Sequence, residues 1–112
     1  MPEFTDHETV DRWISALPPT GIRPAADRAR KLELLQRFCA AAEVDPDTMI
    51  AKSRADKDAK NGYLRTLVRW AKELPGSDRA RHDAEMVVRS FFMKNGFRVV
   101  TKPYQDVYRR TS

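Results

Sequence analysis

No run in this chain alternates apolar and polar residues for longer than Phe97-Arg98-Val99-Val100, and that shortage leaves a β-sheet almost nothing to be built from. The apolar residues recur at three- and four-residue steps instead, the spacing of one helix face. With 112 residues the chain is one domain, too short for a core plus a separate catalytic lobe. The expected fold is all-α: a compact orthogonal bundle of four to five helices over residues 1–100, with 101–112 as a polar exit segment or linker. An apolar fraction of 41% argues for a folded core although 33% of residues are charged.

Punctuation residues divide the chain. Thr5-Asp6-His7-Glu8 reads as a capping box ahead of Val10, Trp13, Ile14 and Leu17, predicting a short helix over about 6–17. Pro18-Pro19-Thr20-Gly21-Ile22-Arg23-Pro24 is a loop. Asp27 can cap a second helix over about 27–43, with Leu32, Leu35, Phe38, Cys39 and Ala42 as its stripe. Asp45-Pro46 opens a third helix that should reach about Arg54. The polar stretch Lys52 to Gly62 reads as an exposed corner into a fourth helix over about 58–73, where Tyr63, Leu67, Trp70, Ala71 and Leu74 share a face. Pro75-Gly76 stops it. Ser77 then caps a fifth helix over about 78–95, bearing Ala80, Ala84, Val87, Val88, Phe91 and Phe92, and Asn95-Gly96 closes it with a left-handed cap. Phe97 to Ser112 reads as an extended exit.

The chemical inventory is sparse. His7 and His82 lie far apart without Cys or carboxylate neighbours at ligand spacing, so no metal site is expected. The glycines are isolated at turns, so there is no phosphate loop. Cys39 falls in the apolar stripe of the second helix and reads as a core residue, not a nucleophile. Asp45 and Asp47 read as caps at a helix start. No catalytic residue, cofactor or small-molecule substrate is expected. No segment approaches the ~20 apolar residues needed to cross a bilayer, a signal sequence is not evident, and a lone cysteine fits a reducing compartment. A cytoplasmic protein with no membrane partner is the expectation.

Charge is more informative. The net charge is +5, which draws phosphate backbones through counterion release, although solubility alone explains a modest surplus. Arg65, Arg69 and Lys72 follow at i, i+4 and i+7 opposite Leu67, giving a three-cation ridge on the fourth helix. Arg30 and Arg37 lie one heptad apart on the second, and Lys52, Arg54, Lys57 and Lys60 crowd the corner. Each cluster is equally well read as an ordinary solvated face. On the fifth helix His82, Met86, Arg89 and Met93 form the stripe opposite the core. The two methionines there fit a protein interface, or a helix buried on two sides.

Several motifs occur in a telling order: Val10-Asp11-Arg12-Trp13, Leu35-Gln36-Arg37-Phe38, Val44-Asp45-Pro46-Asp47, Leu67-Val68-Arg69-Trp70, Val88-Arg89-Ser90-Phe91-Phe92 and Asn95-Gly96-Phe97. This series resembles the N-terminal core-binding (SAM-like) domain of the tyrosine recombinase or phage integrase family, over residues 8–100. Where that family's first long helix usually carries Thr and then Tyr, this chain has Asp27 and Lys31, so that position 27 either makes a weaker phosphate contact or is a pure cap. The family's catalytic Arg, Lys, His-x-x-Arg and Tyr belong to a second domain that this chain lacks, so Tyr63, Tyr104 and Tyr108 are not strand-cleaving nucleophiles. The resemblance implies a helical half-clamp on double-stranded DNA. The candidate backbone contacts are Arg65, Arg69 and Lys72, then Arg30, Arg37, Lys57 and Lys60, with Arg89 or Arg81 nearest to bases. The competing reading is a helical protein-interaction module or small homodimer using His82, Met86 and Met93. The partner is then the chain itself or, for a recombinase piece, a catalytic domain.

Overall fold

Hydrogen-bonded ends fix where each helix starts and stops in the computed structural model, which describes residues 4–17 and 24–98. Among these residues a 3-10 turn, Phe4–Asp6, precedes five α-helices: α1 (Glu8–Ala16), α2 (Pro24–Ala41), α3 (Pro46–Ala55), α4 (Lys57–Lys72) and α5 (Asp78–Lys94). The fold is an all-α bundle. The Pro18–Arg23 stretch and the exit beyond Arg98 lie outside the described residues.

Two helices end in the same way. At α5 the amide of Gly96 donates to the Met93 carbonyl and that of Phe97 to the Phe92 carbonyl, with Gly96 at φ +95°. At α2 the amides of Glu43 and Val44 donate to the Ala40 and Cys39 carbonyls, with Glu43 at φ +56°. Both are Schellman motifs; only the first has the glycine that the left-handed residue favours. Helix starts are capped by side chains. Asp45 accepts from the Thr48 amide at 2.8 Å, Asp56 from the Asp58 amide at 2.9 Å and Ser77 from the Ala80 amide at 3.1 Å.

Four boundaries differ from the sequence expectation. The Thr5–Glu8 capping box does not form: the 3-10 turn intervenes, His7 is the N-cap without a side-chain cap bond, and Glu8 pairs with Arg12 at 2.8 Å. Helix α2 starts at Pro24 rather than Asp27, because a proline at the first helical position gives up an amide that has no partner there anyway. It ends at Ala41 rather than 43, because Glu43 turns left-handed. The corner expected over 52–62 shrinks to Asp56, whose extended backbone both ends α3 and caps α4.

The core gathers on α5. Val88, Phe91 and Phe92 are fully buried together with Val10 and Trp13 of α1, Leu35 and Phe38 of α2, Met49 of α3 and Leu67 of α4. Helix α5 packs against α1, α2 and α4, and α3 packs against α1 and α4. Edge-to-face ring pairs join Trp13 to Phe91 at 5.8 Å, Phe38 to Trp70 at 5.5 Å and Phe92 to Phe97 at 6.0 Å. The Trp13 indole N–H donates to Ser90 Oγ at 2.9 Å, so its polar atom is satisfied inside the core.

Candidate nucleic-acid interface

The stripe Tyr63, Leu64, Leu67 and Ala71 turns one side of α4 to the core, and helical spacing carries Arg65, Arg69 and Lys72 to the other side. All three are exposed. Among the described residues none of them forms an ion pair. At ~1.5 Å per residue the ridge runs about 10 Å along the helix, close to three steps of one DNA strand at ~3.4 Å each. Arg69 and Lys72 also lie in the last turn, where cations offset the helix dipole; Arg65 lies too far upstream for that to account for it.

The other candidates are arranged differently. Arg30 bonds Asp83 at 2.6 Å and Asp27 at 3.2 Å, tying α2 to α5. Arg37 bonds Glu33 at 2.6 Å. Arg89 bonds Glu85 at 2.9 Å, with only 14% of its side chain exposed, and Arg81 donates to the Leu74 carbonyl and to Asp78. These four are already neutralised or shielded. Lys57 is exposed on the flank of α4, whereas half-buried Lys60 extends the Tyr63–Leu64–Leu67 stripe and so faces away from the ridge.

Among the described residues paired cations are confined to three helices, whereas unpaired ones occur on α3 and α4 and also, at Arg28, Arg79 and Lys94, on α2 and α5. The Lys and Arg residues that form ion pairs among the described residues are on α1, α2 and α5. Residues 46–72, which span α3 and α4, hold seven basic and three acidic side chains, a surplus of four out of the chain's five. One of the seven is committed elsewhere. Arg54 donates to the Asn95 carbonyl at 2.9 Å and lies over the Phe97 ring at 5.8 Å, closing the C-terminus of α5.

Sequence spacing held a signal for four of these pairs, Asp27–Arg30 and Asp78–Arg81 at three residues and two more at four. Glu33–Arg37 and Glu85–Arg89 each place the acid four residues before the base, the favourable order on a helix. No acid stands three or four residues before Arg65, Arg69 or Lys72. The Arg30–Asp83 pair spans two helices, and no local pattern announces it.

The α5 face is mostly covered. His82 and Met86 are half-buried, and Met93, at 45% exposure, is the one exposed large apolar residue among those described. That arrangement fits a helix packed on more than one side and leaves no contiguous apolar patch. Cys39 lies in the core and its thiol is pushed up to about 12 by burial and by the nearby Asp45 carboxylate. Among the described residues no group of His, Cys, Asp and Glu is placed to hold a metal ion, and no helix is long and apolar enough to cross a membrane. Comparison with protein-family models, with curated proteins and with solved structures finds no match for the chain.

Proposed function

We propose that this chain is a non-catalytic, cytoplasmic helical domain that binds double-stranded DNA, in the manner implied by its resemblance to the core-binding domains of tyrosine recombinases. The observation that carries the reading is the exposed Arg65–Arg69–Lys72 ridge, three cations on one side of one helix that form no ion pair among the described residues. Such a ridge gains free energy when it releases counterions condensed on a polyphosphate, whereas a cation already matched with a carboxylate must first give up its partner. Arg65, Arg69 and Lys72 are the principal contacts and Lys57 a flanking one. Arg30, Arg37 and Arg89 serve the fold.

Fluorescence polarisation with a labelled duplex tests this. Arg65→Glu, Arg69→Glu and Lys72→Glu together are expected to abolish binding, while Arg37→Gln leaves it nearly unchanged. Equal losses from both variants would replace the ridge with diffuse charge attraction. A dimer in light scattering that dissociates on Met93→Lys, without DNA affinity, would favour the interaction-module reading instead.

A further inference from the structure

We infer that Arg79 carries the α4 ridge across the α4–α5 joint, so that the duplex lies over two helices and meets a fourth exposed cation beside Arg65, Arg69 and Lys72. This rests on the DNA-binding reading above and adds to it a contact on α5, where Arg81 and Arg89 are already bonded to Asp78 and Glu85. Arg79 is exposed and forms no ion pair among the described residues. The acids nearest to it on its own helix are committed elsewhere. Asp83, four residues on, bonds Arg30 of α2 at 2.6 Å, and Asp78, the residue before it, bonds Arg81 at 2.9 Å.

Helix stability does not account for a cation at this place. Arg79 stands in the first turn of α5, where the positive end of the helix dipole disfavours a positive side chain. Lys94, in the last turn of the same helix, is also exposed and in no ion pair among the described residues, but there the dipole favours it. The joint holds Arg79 close to the end of the ridge. Arg81 Nε donates to the Leu74 carbonyl at 2.7 Å, and a Cβ on Gly76 would lie 3.7 Å from that of Ala80, so the turn after α4 folds against the first turn of α5. Arg79 precedes fully buried Val88 by about two and a half helical turns and therefore points outward. Exposed Glu73 is the acid between the two helices, and it forms no ion pair among the described residues. Residues 69–81 keep four basic side chains against two acidic ones, so the joint remains positive.

The experiment uses the full chain and a labelled duplex of about 20 base pairs, titrated by fluorescence polarisation between 50 and 200 mM salt. Arg79→Gln is compared with Lys94→Gln, which removes the same charge from the same helix about 22 Å away. Arg79→Gln should flatten the log–log salt slope by about 0.9, or about 3.5-fold less loss of affinity over that range, while Lys94→Gln leaves the slope unchanged. The urea midpoint of Arg79→Gln should be equal to that of the native chain or slightly higher, because a cation opposed to the dipole is removed. A lower midpoint would show that Arg79 serves the fold and would overturn the inference. Equal flattening by the two variants also overturns it, in favour of diffuse charge attraction. An unchanged slope in Arg79→Gln, with binding still abolished by Glu at Arg65, Arg69 and Lys72, confines the contact to α4: the inference fails and DNA binding stands. Failure of the native chain to bind any duplex overturns both.

Discussion

Asp47 in the first turn of α3 caps α1 from across the bundle: its Oδ1 accepts from the Thr9 amide at 3.0 Å and from the Thr9 hydroxyl at 2.6 Å. Its other oxygen lies 3.1 Å from His7 Nδ1. Helix α1 has no cap of its own, so this carboxylate supplies it and also ties α1 to α3. Asp47→Ala should cost about 1–2 kcal/mol of unfolding free energy, at the upper end for a cap because the tertiary tie goes with it. Urea denaturation measures it, and a loss near zero would mean that α1 docks through Val10 and Trp13 alone.

The same carboxylate makes stability depend on acid. Burial by itself raises its pKa, but the Thr9 hydroxyl and amide and the His7 ring together outweigh burial and hold it below its ordinary 3.8. The folded state therefore favours the charged form. That stabilisation is complete above the unfolded pKa of ~3.9 and is lost as pH falls through the lower folded value. Asp27 and Asp45 act in the same direction, the first chiefly through its bond to Lys31 and the second through Thr48. Thermal unfolding scanned from pH 6 to pH 2 should fall more steeply below ~4 in the native sequence than in Asp47→Asn. Parallel curves would assign the acid sensitivity to the other two carboxylates.

What the sequence disclosed was what local spacing controls. Asp45, Ser77 and Asn95-Gly96 punctuate helices α3 and α5 where their chemistry says they should, and the stripe from Ala84 to Phe92 is the buried face of α5. What it hid depends on the fold. Asp47 looked like a cap for its own helix, but its partner is 38 residues away. Asp56 hid a sharp joint inside a polar stretch, because a helix end with an exposed face and a loop share the same composition. For the ridge, spacing fixed the common side of Arg65, Arg69 and Lys72; their lack of acid partners needed the neighbouring helices as well.

Glu43 marks a place where the chain does not follow the preferred chemistry. At φ +56° it occupies a conformation that costs an L-residue about 1–2 kcal/mol, only partly offset against the greater unfolded-state freedom of glycine. It is exposed and forms no ion pair among the described residues. Glu43→Gly should therefore raise stability by up to about 1 kcal/mol, seen as a higher urea midpoint with an unchanged slope. A lower midpoint would mean that Glu43 makes a stabilising contact.

Asn95 joins three helices, α1 and α5 through its buried side chain and α3 through its backbone carbonyl. Its Nδ2 donates to the carbonyls of Thr9 at 3.2 Å and Phe91 at 2.9 Å, and its Oδ1 accepts from Arg12 at 2.8 Å, while Arg54 of α3 holds its backbone carbonyl. Asn95→Ala leaves buried partners unsatisfied and should cost about 2–3 kcal/mol, more than an exposed cap would. Calorimetry on the variant checks this, and a loss under about 0.5 kcal/mol would mean that water replaces the side chain.

Cys39 provides a direct check on how α2 is turned, and hence on which side Arg30 and Arg37 face. Only the thiolate reacts with an alkylating agent, and a thiol pushed up to about 12 leaves roughly one molecule in 10⁴ ionised at pH 8 even before burial blocks access. Iodoacetamide should leave the native protein unmodified and label it in step with global unfolding across a urea series, as mass spectrometry would record. Rapid labelling without urea would bring Cys39 to the surface. Leu35 and Phe38, which share its stripe, could not then both stay buried, and the outward placement of Arg30 and Arg37 would be lost with them.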